Sequence, residues 1–459
     1  MRAKVRVYPV VFAAGSGSRL TELTESVPKC LLPIANKPML WYPLARLQHA
    51  GFQNATVLVP EKCKNDVMKV LLHQCPRLDQ LNLDFVSIPS DAENFGTADA
   101  LKLVADKLPS CEDLLLIGCD FISDFPVDKL IQKHQTKGAA LSLLLADSPV
   151  TGPAPGSKSR RNEADLMALD SKASRLIFLG NDADYEEEIS LSLRCLERFP
   201  SVKLTSKLTD CHVYLMKSWV LDLLRLNDKL LPSIKTELIP YLLKGQYKKL
   251  RDIPDELRQR IQPEVKAGDL KAIGVDLDRL ARHLSSANAA NSSRDGRVEW
   301  LKCYAYIPGQ NIDSCRFLAR TNTIGAYLEC NKQVVKVLTD VTGGLHKFTP
   351  HTSKGYAQVG NDCLIGDEVS LGEKAQLKRT VVGSHCVIGE RVKLVNSLLM
   401  DHVHVGAGAD LSNCIVCHSG DIKDKSSLKD CIVGMNQKVT GGKLQHEFIG
   451  GDSNEVMEI

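Results

Sequence analysis

Apolar residues fall in two unlike patterns along this 459-residue chain. Over the first 120 residues, short apolar runs alternate with helically spaced stretches. Val7–Phe12, Ala55–Val59, Leu83–Ile88 and Leu114–Ile117 read as strands. Between them, Pro38–Ala50 (closed by Gly51), Lys64–His73 and Ala98–Leu108 read as helices. Strand alternating with helix predicts an α/β domain built on a mostly parallel sheet.

The last hundred residues follow another rule. Ile365, Val382, Leu399, Val416 and Val433 fall 17 residues apart. So do Leu371, Ile388, Val405, Ile422 and Val439, and so do Leu377, Leu394, Leu411 and Leu428. Within each period the aliphatics are spaced six, six and five, and several are followed by a small residue, as in Val359-Gly360 and Ile388-Gly389. Three columns in phase predict a hexapeptide parallel β-helix with one side of each coil a residue short, its small residues easing the corners. Stacked coils bury one continuous column, so this region scaffolds rather than catalyses.

Between the two regions the chain turns charged and then polar, and Ser285–Asp295 has too few apolar residues to offset the cost of ordering. The expected organisation is an α/β domain over 1–250, a partly flexible linker over 251–300, a connecting segment over 301–350, the β-helix over 351–442 and a tail over 443–459. Ser148–Glu163, rich in Pro, Gly, Ser and basic residues, reads as an exposed loop whose Lys158, Arg160 and Arg161 are solvated.

Composition narrows the classes. Lys and Arg number 58 against 55 Asp and Glu, a net charge of +3 that gives no reason to expect nucleic acid. Fifteen cysteines, an odd number without a secreted framework, predict a reducing, cytosolic setting. No apolar run approaches the roughly 18 residues of a membrane span. Arg2 and Lys4 before Val7–Ala14 imitate a signal peptide, but Pro9 and the glycines that follow fit a buried strand better.

Chemistry concentrates after the first strand. Ala13-Ala14-Gly15-Ser16-Gly17-Ser18-Arg19-Leu20 is followed by Pro28-Lys29-Cys30-Leu31-Leu32-Pro33. Glycines let backbone amides approach phosphate oxygens, and Arg19 with Lys29 would neutralise a triphosphate. Gly96-Thr97-Ala98 opens a helix whose free amides face a base or phosphate, or else forms a plain cap. Asp120 ends an apolar strand, where it either holds Mg²⁺ or caps the next turn. Two decoys fall away. Cys414-Ile415-Val416-Cys417-His418 matches a haem-attachment pattern, yet it sits in phase with the coils. The acidic run Asp182, Asp184, Glu186, Glu187 and Glu188 reads as a solvated helix start.

These residues resemble the sugar-phosphate nucleotidyltransferase family, whose members join a nucleoside triphosphate to a sugar 1-phosphate and release pyrophosphate. The resemblance implies a Rossmann-type domain followed by a left-handed β-helix. It also implies a nucleotide cradle of Gly15, Gly17, Arg19, Lys29, Gly96 and Thr97, with Mg²⁺ on Asp120. The departures weigh against turnover. Ser18 and Glu22 stand where the family has Thr and Pro, and Cys119 replaces the Gly before the metal Asp. The Glu-Lys pair expected after Arg175–Leu179 is replaced by Gly180-Asn181-Asp182, with no lysine to replace it. The sugar-contacting Asn-Ala-Gly reads Asp210-Cys211-His212 before Val213-Tyr214, so His212 would obstruct a sugar.

Decayed members of the family serve as regulatory subunits. Lys37–Leu44, Gly96-Thr97-Ala98-Asp99, Glu237–Leu242 and the ending Gly451-Asp452 with Val456–Ile459 are similar to subunits of translation initiation factor 2B. That likeness implies a non-catalytic subunit of a guanine-nucleotide exchange factor acting on translation initiation factor 2. It would pair with a larger epsilon subunit in a two-fold symmetric decamer, with no required cofactor, no direct nucleic acid and no membrane. The relic cradle would then hold at most GTP or ATP with Mg²⁺. The alternative is an active transferase making a sugar nucleotide.

Overall fold

The chain from Val5 to Ile34 sets the frame: strand β1 (Val5–Phe12), the glycine loop, then β2 (Pro33–Ile34), which pairs with β3 (Lys37–Pro38). The computed structural model describes residues 5–450 apart from 16, 76–77, 90–94, 148–149, 151, 157–163, 171–173, 186–188, 190, 192, 227–230, 247–300, 310–314 and 346–356. Ser16, the Lys158–Arg161 part of the exposed loop, Glu186–Glu188, the linker over 251–300 and the tail beyond 450 therefore lie outside the described residues.

The main sheet adds β4 (Asn54–Pro60), β5 (Asn82–Ile88), β6 (Cys111–Gly118), β8 (Leu141–Ala146), β12 (Thr209–Lys217) and β13 (Cys303–Tyr306). Its order is β13-β8-β12-β6-β1-β4-β5. β5, β4, β1 and β6 run parallel, and β12 lies antiparallel between β6 and β8. Both faces are covered, which is why its central strands are largely apolar on both sides. Val11 and Ala13 enter one core while Val10 and Phe12 enter the other. The helix expected from Pro38 starts at Trp41, because Lys37 and Pro38 are held in the hairpin. The segment expected only to connect the domains, 301–350, instead supplies β13 to this sheet, β14 (Leu318–Arg320) to the short strand β7 (Phe121–Ser123), and the buried helix Ile324–Val341.

A smaller antiparallel sheet has the order β10 (Leu176–Asn181), β9 (Asp165–Asp170), β11 (Val202–Thr205).

The coils form three parallel sheets of six, six and five strands. Their registers match the sequence columns: Ile365 with Val382, Leu399, Val416 and Val433; Leu371 with Ile388, Val405, Ile422 and Val439; Leu377 with Leu394, Leu411 and Leu428. Val359 and Leu444 extend the third column, and Lys443–Gln445 and Phe448–Ile449, expected in the tail, pair as further strands of the β-helix because the aliphatic spacing continues. Apart from Gly408, Gly441 and Gly442, which turn the chain at φ values of +70°, +112° and +103°, the coil glycines do different work from the one expected. Corners are turned in the left-handed region by Glu368, Lys374, Arg379, His385 and Arg391, among others, with φ between +51° and +58°. The glycines instead admit the neighbouring coil: a Cβ on Gly366 would lie 2.6 Å from the Gly383 carbonyl carbon, and one on Gly389 2.7 Å from Ala407 N. One face of the β-helix, Val381, Leu398, Ile415 and Ile432, shares a core with Tyr327 and Leu32 of the α/β domain. Cys414 points into the coils and Cys417 into that shared core, so the haem-like motif is split between two interiors.

Candidate functional site

Four strand ends meet beside the glycine loop. β6 ends at Gly118, so Asp120 lies in the turn to β7, and β14 pairs Arg320 with Phe121. The register sets Arg320 beside Asp120. Lys29 opens the single turn Lys29–Leu31, and His212 lies within β12 at φ +58°. A left-handed conformation disfavours a side chain with a Cβ, so this backbone suits the glycine of the related enzymes. Here the imidazole stacks on Phe12 with centroids 6.2 Å apart. His212 therefore occupies the space above the strand ends, as its position in the sequence suggested.

Asp120 is 1% exposed and engaged on both oxygens. Oδ2 accepts from Lys29 Nζ at 2.8 Å and from Arg320 Nε at 3.3 Å, and His212 Nδ1 lies 3.2 Å from Oδ1. Arg320 Nη1 continues to Asp210, donating to its carbonyl at 3.2 Å and reaching Oδ2 at 3.5 Å. Tyr214 also donates to Asp210 Oδ2, at 2.5 Å. Lys235 Nζ lies 3.9 Å from that oxygen and donates to Asp165 Oδ1 at 2.5 Å. Charges thus alternate along the chain Lys29, Asp120, Arg320, Asp210, Lys235, Asp165.

The pairing decides the protonation states. Burial alone would raise the Asp120 carboxyl, but Lys29, then Arg320 and His212, hold it well below the usual carboxylate range. Burial opposes Asp210 too, and Lys235 and Arg320 outweigh it and lower it. Burial would weaken the Arg320 guanidinium, yet Asp120 and Asp210 raise it above its ordinary value. Two carboxylates and the guanidinium between them are therefore locked in charged form.

The residues expected in the cradle divide. Lys29 and Asp120 come together, but onto each other. Gly17, at φ +76°, could not be replaced without a Cβ 2.8 Å from Thr24 Cγ2, while a Cβ on Gly15 would meet nothing within 4 Å. Arg19 is exposed in the turn before Thr21. Gly96 and Thr97 do begin a helix, Thr97–Val104, but its first amides are not free: Ala98 N and Asp99 N both donate to Pro232 O, at 2.8 and 3.3 Å. Thr97 Oγ1 accepts from Ile234 N.

Sequence reasoning missed Arg320, Lys235 and Asp165. Arg320 lies 200 residues from Asp120, and no local pattern marks the pair. The segment directly after Leu179, Gly180-Asn181-Asp182, carries no lysine, yet the fold brings Lys235 to Asp165, the residue paired with Asn181. There it is spent on carboxylates.

This mostly parallel sheet with a glycine-rich turn after its first strand, joined to a left-handed β-helix, defines a nucleotidyltransferase-like protein. The family described as "Nucleotidyl transferase" matches residues 8–153, and that described as "EIF2B subunit epsilon LbH domain" matches 347–443. The chain is 31% identical over 384 residues to translation initiation factor eIF2B subunit gamma of Caenorhabditis elegans, covering 81% of this chain and 79% of that one. Against the Schizosaccharomyces pombe subunit of the same name it is 30% identical, covering 81% and 73%. It is also 28% identical to probable mannose-1-phosphate guanylyltransferase 2 of Arabidopsis thaliana, over 43% of this chain and 57% of that one. The chain belongs to the family of eIF2B gamma subunits.

Proposed function

We propose that the chain is a non-catalytic, cytosolic subunit of the exchange complex. It pairs with epsilon, joins the alpha, beta and delta subunits in a two-fold decamer, and promotes GDP/GTP exchange on translation initiation factor 2. One observation carries the non-catalytic part: Asp120, the carboxylate a metal would need, is bonded by Lys29 and Arg320 with His212 alongside. Mg²⁺ brought there would displace or repel two cations, so the donor set does not fit a divalent ion. Lys29, tied to Asp120, is likewise not free for a triphosphate. Any GTP or ATP held by the glycine loop would bind without a metal on Asp120 and act as a ligand rather than a substrate.

The test is reconstitution. Complexes assembled with and without this chain are compared for release of labelled GDP from initiation factor 2, and the chain is assayed for pyrophosphate release from GTP and mannose 1-phosphate. Faster exchange with the chain present, and no pyrophosphate, is the expected result. The likeness to mannose-1-phosphate guanylyltransferases favours the rival reading, an active sugar nucleotide transferase. Pyrophosphate release abolished by Asp120→Asn would establish that rival.

A further inference from the structure

The three outer faces of the β-helix differ in kind. One is the apolar face against the α/β domain. A second carries Ser370, Val387, His404, Asp421 and Lys438. The third, built from Gln358–Val359, Gln376–Lys378, Lys393–Val395 and three later strands, turns Lys378, Lys393, Lys429 and Lys443 to solvent against the single carboxylate of Asp410.

At its first coils this face forms an open groove of about 710 Å³ beside the helix Ile324–Val341. Lys336 from that helix and Lys378 and Lys393 from the strands line it, with the amides of Gln358, Asn361 and Gln376. Its one lining carboxylate among the described residues, Asp362, lies 3.9 Å from Arg379 Nε. Lys336, Lys378 and Lys393 have no ion-pair partner among the described residues.

We propose that this groove binds an acidic, extended peptide segment of a partner protein. Lys378 and Lys393 are diagonal neighbours on adjacent parallel strands, by sheet geometry about 8 Å apart. Alternate side chains of an extended peptide repeat at about 7 Å, so successive acidic residues on one face reach successive lysines. The three amide side chains are suited to the peptide backbone. Single-stranded nucleic acid is the poorer fit, since among the described residues no aromatic ring lines the groove on which a base would stack.

The test uses the full chain in its assembled complex and a fluorescein-labelled peptide of eight glutamates, with an eight-glutamine peptide and an eight-uridine RNA alongside. Anisotropy should show salt-sensitive binding of the glutamate peptide alone. The combined Lys336→Glu, Lys378→Glu and Lys393→Glu variant should weaken it about tenfold or more. Lys438→Glu, on the second face, should leave it unchanged. A photoreactive version of the peptide should label the fragment containing residues 357–395. Equal binding by the triple variant, labelling elsewhere, no binding at all, or tighter RNA binding lost in the triple variant would each overturn the proposal.

Discussion

The α/β domain and the β-helix bury different things. Beneath its strand ends the α/β domain hides Asp120, Asp210 and Asp165, tied together by Arg320 and Lys235. Inside the coils the buried polar side chains are Thr380, Ser397 and Ser426, none of them charged. A buried charge is costly unless paired, so the first arrangement depends on each partner being present. A column of aliphatics depends only on volume. The contrast separates a relic of chemistry, where one residue decides the outcome, from a scaffold, where the repeat does.

The sharpest way to break this comparison is Arg320→Ala. It leaves Asp120 and Asp210 buried with one cation fewer, and should cost about 3–5 kcal/mol of local stability. Hydrogen exchange of peptides on either side of 300 reads each region separately, which matters because a chain of several units need not unfold in one step. Protection should fall in β6, β12 and β14 and hold in the coils. Unchanged protection at those strands would mean the network carries little stability.

Acidification probes the same difference without mutation. Asp120 and Asp210 are held low in the folded chain, and would titrate near the ordinary value of about 3.9 once unfolded. Their contribution is whole above about pH 5 and drains as the pH falls toward their folded values. The strands around Asp120 should therefore lose protection before the coil interior does. Coils opening first would overturn the ordering.

Gly389→Ala is the matching lesion in the scaffold. Its Cβ would sit 2.7 Å from Ala407 N and 2.9 Å from the Gly406 carbonyl carbon, both backbone atoms that cannot swing aside. Overpacking of this kind costs about 1–3 kcal/mol. The loss should appear in the coils around 388–406 and leave the Asp120 strands protected.

The two regions also differ in how far their sequence could be read. The three aliphatic columns inside the coils were visible, because a period of 17 places each pairing at a fixed offset; the outward column Val381, Leu398, Ile415 and Ile432 went unread. The strands β1, β4, β5 and β6 were visible for a local reason, their short and largely apolar runs. The site was legible only in part. Lys29 and Asp120 stood out as chemistry, and His212 as an obstruction. They bind one another directly, but Arg320, which joins Asp120 to Asp210, is delivered by a strand from a segment that looked like a connector. Likewise, nothing near Gly96 signals that Pro232 will cap its helix.

The glycine finding yields the smallest and most discriminating prediction. Arg391 lies two residues beyond Gly389, is exposed, and turns its corner at φ +56°. If small residues served the corners, Arg391→Gly should be strongly stabilising and Gly389→Ala nearly harmless. If they serve the approach of one coil to the next, the order reverses. Glycine at 391 would relieve about 1–2 kcal/mol of left-handed strain, while giving back about 0.5–1 kcal/mol of chain entropy in the unfolded state. The net gain should therefore stay between about 0 and 1.5 kcal/mol, on balance smaller than the loss at Gly389. Paired exchange measurements on the two variants decide between the two roles. A large gain at 391 with no loss at 389 would return the glycines to the corners.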